Sequence, residues 1–264
     1  MSQRSLELPS LTVIMPCLNE ESSVAAAAGA TLAAFDKYSI DGELIIVNDG
    51  STDRTLEIAT GLMKADRRIR VLSHEKPWGV GATFWHGVQE ARNDYVMWIA
   101  GDNENDPEDA LIYYYMSRDT DIIVPFIHNV EVRSVLRRVV SSLYRFIINV
   151  SFGMNLNYTN GAVIYNVAVL REINLQSVGF FYQAEILIQL IRAGYLYAET
   201  PHFLSRRRSG KTKALTLKSF FDVTKAYLHL MWDVHVRRVK GRRDAALNPK
   251  SATYRRMQAY TESA

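Results

Sequence analysis

The stretch VMWIAGDNENDPED begins with apolar residues and ends with Asp102, Glu104, Asp106, Glu108 and Asp109 inside eight positions. Asp102 and Glu104 alternate just past the apolar run. Hard carboxylate oxygens in that arrangement suit Mg2+ or Mn2+, which are held by one or two carboxylates together with substrate phosphates. Asp106, Glu108 and Asp109 precede ALIYYYM and are expected to begin a helix, where the dipole favours negative charge. Asp49 stands before Gly50 in NDGS, a tight turn in which Ser51 or Thr52 is placed to cap the next helix. Gly79 and Gly81, in KPWGVGA, let the backbone approach a ligand closely. Arg207, Gly210, Thr212 and Lys213 lie in the basic run RRRSGKTK, whose charge alone reads equally as a phosphate clamp or a solvated loop. A single cysteine, Cys17, after Pro16 is expected to be buried; His74 and His86 could stand near a bound ligand, although loop and helix histidines usually have no such role.

These residues need a scaffold, and the pattern supplies one. LTVIMP, GELIIVNDGS, RIRVLSH and DYVMWIAGD read as strands, separated by helices over Glu20 to Phe35, DRTLEIATGLMKA and GATFWHGVQEA. Strands alternating with helices give βαβ units and a mostly parallel sheet, an α/β architecture. In such sheets ligands bind at the carboxyl ends of the strands. Here those ends are PCLNE, NDGSTD, SHEKPWGVGA and GDNEND, four polar loops in register. The chain of 264 residues is 48% hydrophobic with a net charge of +3, which suits a globular core and gives no argument for nucleic acid as a partner. One cysteine excludes an internal disulfide and favours a reducing compartment. No signal-peptide pattern opens the sequence, and no apolar run approaches the roughly 20 residues that cross a bilayer.

VIMPCLNEE, IIVNDGSTDRT and GDNEN after a fourth strand resemble the family 2 glycosyltransferases of the GT-A fold. RRVVSSLYRFI, NYTNG, YQAEILIQLIRAGY and RRRSGKTK are similar, in order and spacing, to the dolichol/polyprenyl-phosphate mannose synthase branch. The resemblance spans roughly residues 10 to 215. It implies a Rossmann-like, mostly parallel central sheet flanked by helices, with a catalytic domain over 1–215 and an amphipathic, basic appendage over 216–264. It implies an inverting hexosyltransferase that takes a mannose-like or glucose-like sugar from a GDP- or UDP-hexose donor. Pro16, Asn19, Glu20 and Asp49 would lie against the nucleotide, with Gly79, Gly81, Ala100 and Gly101 lining the donor site. Most relatives read Asp-x-Asp where this chain has Ala100-Gly101-Asp102. The first aspartate is absent, Asp102 matches the second, and Glu104 matches a position that is often Gln in the lipid-phosphate branch. Asp102 and Glu104 are therefore the expected ligands of Mg2+ or Mn2+. Arg207 and Lys213 match the loop that closes over the diphosphate, with Gly210 giving it mobility.

A sugar hydroxyl acceptor needs a general base, whereas a lipid phosphate is already ionised near neutral pH and needs cations to position it. In RRVVSSLYRFIINVSFG, Arg138, Ser141, Ser142, Arg145 and Asn149 fall on one helical stripe, and Val139, Val140, Leu143, Phe146, Ile147 and Val150 cover the rest. That pattern fits a membrane-interface helix, and equally a helix packed on the core with its arginines in solvent. By resemblance, Arg138 and Ser142 bind the acceptor phosphate. The apolar helix ALTLKSFFDVTKAYLHLMW, with Leu217, Phe220, Phe221, Leu228 and Met231 on one face, and the basic RRVKGRR fit an anionic membrane surface, or packing on the catalytic domain, or a dimer contact. The expected location is the cytoplasmic face of a membrane, held peripherally, with a membrane-protein partner or a homo-oligomer left open. Glu185, in YQAE, is the fallback general base, its alternative a polar residue opening an internal helix. Three functions stand: transfer to a polyprenyl or dolichyl phosphate, transfer to a saccharide or other hydroxyl, and sugar-nucleotide binding without catalysis.

Overall fold

The structure is a computed structural model that describes residues 7–202, 217–237 and 246–263. Its centre is a sheet of strands β1 (Leu11–Cys17), β2 (Gly42–Asp49), β3 (Ile69–His74), β4 (Tyr95–Trp98), β5 (Ile122–Ile127), β6 (Ile164–Asn166) and β7 (Tyr197–His202), in the order β3-β2-β1-β4-β6-β5-β7. β1 runs parallel to β2 and β4, β2 to β3, and β5 to β7; only β6 is antiparallel to its neighbours β4 and β5. The βαβ alternation of the sequence is thus present: β1, β2 and β3 are followed by α1 (Val24–Lys37), α2 (Thr55–Ala65) and α3 (Val80–Glu90).

Two apolar cores cover the sheet faces. Leu11, Val13, Met15, Leu44 and Ile46 point to one, with Phe35 of α1 and Ala59 of α2. Ile14, Ile45, Val47 and Val96 point to the other, with Phe84 of α3, Val169 of α6 (Val167–Leu170) and Ile186 and Leu187 of α7 (Tyr182–Arg192). The alternation along β1 is the two-residue period of a strand buried on both faces.

Helix α1 starts later than the sequence indicates. Asn19 adopts a left-handed conformation (φ 58°), and the amides of Glu20 and Glu21 turn to Thr55 Oγ1 and Asp53 Oδ2, at 2.8 and 3.1 Å. The residues expected to open the helix are thereby committed to the neighbouring loop. The acidic run after β4 does divide as its pattern implies: Asp106 caps α4 (Pro107–Leu111), accepting from the Glu108 amide at 3.0 Å.

Helix α5 (Val135–Phe152) runs from a Ser134 cap to Gly153. Its polar stripe, apart from exposed Ser142, faces the protein. Arg145 donates to the Asn157 carbonyl at 3.1 Å, and the Asn149 amide pairs with the Leu156 backbone. Ile148 and Phe152 are buried with Phe181 and Ile188 near α7 and Leu230 of α8 (Leu217–His235). Val135, Leu136, Val139, Val140, Leu143, Phe146, Ile147 and Val150 are left in solvent, Leu136 at 75% and Val150 at 67% exposure. The alternative with the apolar side packed inward and the arginines in solvent is excluded. In α8, Met231 packs inward while Phe221 and Leu228 point outward; the side chains of Leu217 and Phe220 lie outside the described residues. Asp121, at the foot of β5, accepts from the amides of Ala252 and Thr253 at 2.7 and 3.0 Å and so caps α9 (Ala252–Ser263).

Candidate active site

Strand order reverses between β1 and β4: β2 and β3 follow on one side of β1, and β4 lies on the other. Loops diverge at such a point and leave a crevice at the carboxyl ends. There the Gly101 amide donates to the Pro16 carbonyl at 3.2 Å. This bond brings the β1 segment Pro16, Asn19 and Glu20 beside Ala100, Gly101 and Asp102. A β-carbon on Gly101 would stand 2.3 Å from the Cys17 sulfur, so a larger residue there forces that side chain or the loop to move.

The β1 and β2 loops are knitted together. Asn19 accepts from the Thr52 amide at 2.8 Å and donates its own amide to Ser51 Oγ at 3.0 Å. Ser51 is thus spent on the neighbouring loop, and it is Asp53 that accepts from the Thr55 amide at the start of α2, at 2.9 Å. Asn103 is left-handed (φ 56°) and turns the chain so that the Glu104 amide donates to Asp102 Oδ1 at 3.0 Å.

Cys17 reports the charge at this point. Burial first, then the carboxylates of Glu20, Asp102 and Asp53, push its thiol up to about 12. Such a concentration of negative charge beside the crevice suits a cation. Among the described residues no three His, Cys, Asp or Glu side chains group as a metal cage. Two carboxylates completed by phosphate oxygens are what Mg2+ ordinarily takes, so Asp102 and Glu104 fit a hard divalent ion that arrives with its substrate.

Three residues have surroundings that the sequence did not indicate. Asp49 is buried, and its carboxylate accepts from His74 Nδ1 and the Trp78 amide at 2.8 Å and from the Gly79 amide at 3.1 Å. Burial raises its pKa, but the His74 bond and the two amides outweigh this and hold it below the usual carboxylate range. Gly81, expected to admit a ligand, instead admits the 177–178 loop: its amide donates to the Val178 carbonyl at 2.8 Å, and a β-carbon would meet the Ser177 carbonyl at 2.6 Å. Glu185 is buried in the first turn of α7 and accepts from the amides of Gln176 and Ser177, both at 2.9 Å, and from Gln189. Its surroundings make it the residue that holds that loop, and no part of them supports the general-base role.

On α5, Arg138 is half-buried and its side chain makes no hydrogen bond or ion pair among the described residues, while Ser142 is exposed. Arg133 stacks on Tyr158, 5.6 Å from the ring centre, and donates to its hydroxyl at 3.2 Å. Arg207, Gly210, Thr212 and Lys213 lie outside the described residues. The sequence reading missed the joining of His74 and His86 to Asp49, because the three are 12 to 37 positions apart and only the β2–β3–α3 packing unites them.

A mostly parallel sheet with an acidic crevice at its switch point defines an α/β protein, and the solved structures it matches give that class its form. Glucosyl-3-phosphoglycerate synthase of Mycobacterium tuberculosis superposes with a TM-score of 0.62 at 21% identity, over 84% of this chain and 81% of that one. The same enzyme with Mn2+, uridine diphosphate and phosphoglyceric acid gives 0.58 at 19%, over 85% and 78%. The fold is GT-A. The model of glycosyl transferase family 2 matches residues 12–173, and the chain belongs to that family.

Dodecaprenyl-phosphate galacturonate synthase of Rhizobium johnstonii is 29% identical over 176 residues, 65% of this chain and 51% of that protein. Undecaprenyl-phosphate 4-deoxy-4-formamido-L-arabinose transferase of Pectobacterium atrosepticum is 28% identical over 152 residues, 57% and 46%. The chain spans about half the length of these relatives.

Proposed function

We propose that this chain is an inverting glycosyltransferase that moves a hexose from a nucleotide-sugar donor to a polyprenyl or dolichyl phosphate at a membrane surface. One observation carries the acceptor half of this reading. Arg138, without a partner among the described residues, stands on a helix whose outward face is largely apolar. An anionic headgroup on a hydrocarbon chain meets both features at once. The relatives named for dodecaprenyl-phosphate and undecaprenyl-phosphate transfer support the same class of acceptor.

The donor would lie across the crevice between β1 and β4, with Pro16, Asn19 and Glu20 along the nucleotide and Asp102 and Glu104 at the diphosphate. These two carboxylates would hold Mg2+ or Mn2+, the ions found in the glucosyl-3-phosphoglycerate synthase complexes. When bound, such an ion neutralises charge that builds on the departing diphosphate. Arg207 and Lys213, by resemblance, add fixed positive charge to the same oxygens. Arg138 and Ser142 would orient the acceptor phosphate for attack on the anomeric carbon from the side opposite the leaving group. A phosphate oxygen is already ionised, since its second pKa is about 6, so no base is required, in keeping with the internal engagement of Glu185.

Exposed Phe221, Leu228, Trp232 and Val236 on α8 extend the apolar surface available to a bilayer. Among the described residues no helix is long and apolar enough to cross a membrane. The proposed location is the surface of a membrane, on its cytoplasmic side.

The test is incubation of the purified protein with membrane lipid extract and radiolabelled UDP- and GDP-hexoses. The expected result is label in the organic phase. Label confined to a water-soluble saccharide would instead establish a hydroxyl acceptor. Donor binding without transfer to any acceptor would establish a non-catalytic protein.

A further inference from the structure

Asp49, His74 and His86 form a chain that the reaction as proposed leaves unused. His74 Nδ1 is 2.8 Å from Asp49 Oδ1, and His74 Nε2 is 2.8 Å from His86 Nδ1. Two imidazole nitrogens this close need one donor and one acceptor, so they share a single proton. Trp78 lies flat on His74, with ring centroids 3.7 Å apart and planes 9° from parallel. Its amide ends on Asp49, as does that of Gly79. The indole is therefore fixed through both its ring and its backbone, yet Trp78 is 52% exposed.

Trp78 also borders the nucleotide loops. A β-carbon on Gly50, one residue before Ser51, would touch the Lys76 and Pro77 backbone at 2.8 Å. Beside the indole opens a cavity of about 260 Å3, lined by Trp78, Ala82, Trp85, His86, Ser177 and Val178 and almost wholly apolar. A rigid, exposed aromatic ring at the edge of an apolar cavity suits a flat heteroaromatic ligand. The Asp49 oxygens already accept from two amides and an imidazole, so recognition of a base falls to this surface and away from the carboxylate.

We propose that Trp78 is the stacking platform for the nucleobase of the donor, and that His74 and His86 are positioning residues whose single shared proton holds it in place. This rests on the reading of the chain as a nucleotide-sugar transferase. Stacking is tolerant of base identity because every base has a π-face. Uridine and guanosine diphosphates are thus expected to bind with similar affinity.

The arrangement also carries a sign with pH. The groups facing the imidazole pair are Asp49 from β2, Thr83 and Glu90 from α3, and the Trp78 ring; Glu75 and Lys76 of the same loop are exposed. Burial, then the neighbouring His74, hold the His86 imidazole below its ordinary value. Only when both rings carry a second proton do both facing nitrogens become donors and two cations stand in contact, which opens the pair and removes the backing of Trp78. Donor affinity is expected to fall at acid pH, below the ordinary histidine value of roughly 6.5.

Calorimetric titration of the full chain in Mg2+ tests this, with UDP, GDP and pyrophosphate as probes at pH 5.5 and 7.5, and circular dichroism to verify folding at each pH. Trp78→Ala, at an exposed side chain, is expected to raise Kd for both nucleotides roughly 5- to 100-fold, the range of one base–aromatic stack, and to leave pyrophosphate unaffected. His86→Asn keeps an amide donor for His74 Nε2 but cannot titrate. The ratio of its Kd values at the two pH values should approach one, against a several-fold ratio in the wild type. Equal nucleotide affinity in Trp78→Ala, or a wild-type pH ratio in His86→Asn, overturns the proposal. A wild-type protein that binds pyrophosphate but no nucleotide more tightly also overturns it, while binding of none of the three probes overturns the transferase reading beneath it.

Discussion

Gly101 and Cys17 touch across the switch point: a β-carbon on Gly101 would lie 2.3 Å from the Cys17 sulfur. Gly101→Ala is therefore expected to cost about 1–3 kcal/mol, the range for overpacking a close contact. It should also displace Asp102 and lower turnover. Cys17→Ala removes the clashing sulfur, so the double variant should recover most of the loss. A double-mutant cycle by urea unfolding measures this, and additive costs would show that the contact is not the cause.

Asp102→Asn is expected to abolish transfer, because it removes one of two carboxylates proposed for the metal while its Oδ1 can still accept from the Glu104 amide. Glu104→Gln should weaken activity or change the ranking of Mg2+ and Mn2+. Rates measured across both metals and in EDTA decide the matter. Full activity of Asp102→Asn in EDTA would remove the metal role.

Arg138→Ala should raise KM for a polyprenyl phosphate far more than for the sugar nucleotide, because its charge is otherwise unpaired among the described residues. Glu185→Gln should act differently. It places an amide where two backbone N–H groups need acceptors, which costs about 1–3 kcal/mol, and kcat should stay within several-fold of wild type. Steady-state kinetics alongside thermal unfolding separates the two. Complete loss of activity in a stable Glu185→Gln protein would make Glu185 the base and the acceptor a hydroxyl.

Leu136→Glu with Val139→Glu places charge on the outward face of α5. Both side chains are exposed, so stability should change by no more than about 0.5 kcal/mol for each. Binding to anionic liposomes should fall about tenfold or more, since two buried apolar side chains are lost from the bilayer. Co-sedimentation measures it, and unchanged binding would send the membrane contact elsewhere. Removing everything after residue 215 is the poorer test. Leu230 is buried against Phe152 and Phe181, and Asp121 would lose the α9 amides it caps.

Much of this was legible in the sequence because it depends on local order. Apolar runs of four to eight residues ending in polar loops define the parallel strands and the edge of the sheet where ligands bind. The spacing of Asp102 and Glu104, and the capping of α4 by Asp106, follow from neighbours along the chain. What tertiary structure alone decided are relations between distant segments. The stripe of α5 could be drawn on a helix from its sequence, but its direction depends on what packs against Ile148 and Phe152. The same holds for Glu185, whose polar type fits a base until Gln176 and Ser177 are seen to donate to it. Asp49, His74 and His86 each look ordinary in sequence. They become one chain only because β2, β3 and α3 bring Asp49 and His86 each to 2.8 Å from His74. A hydrogen bond depends on distance and angle between two groups, and the identity of either group alone does not contain them.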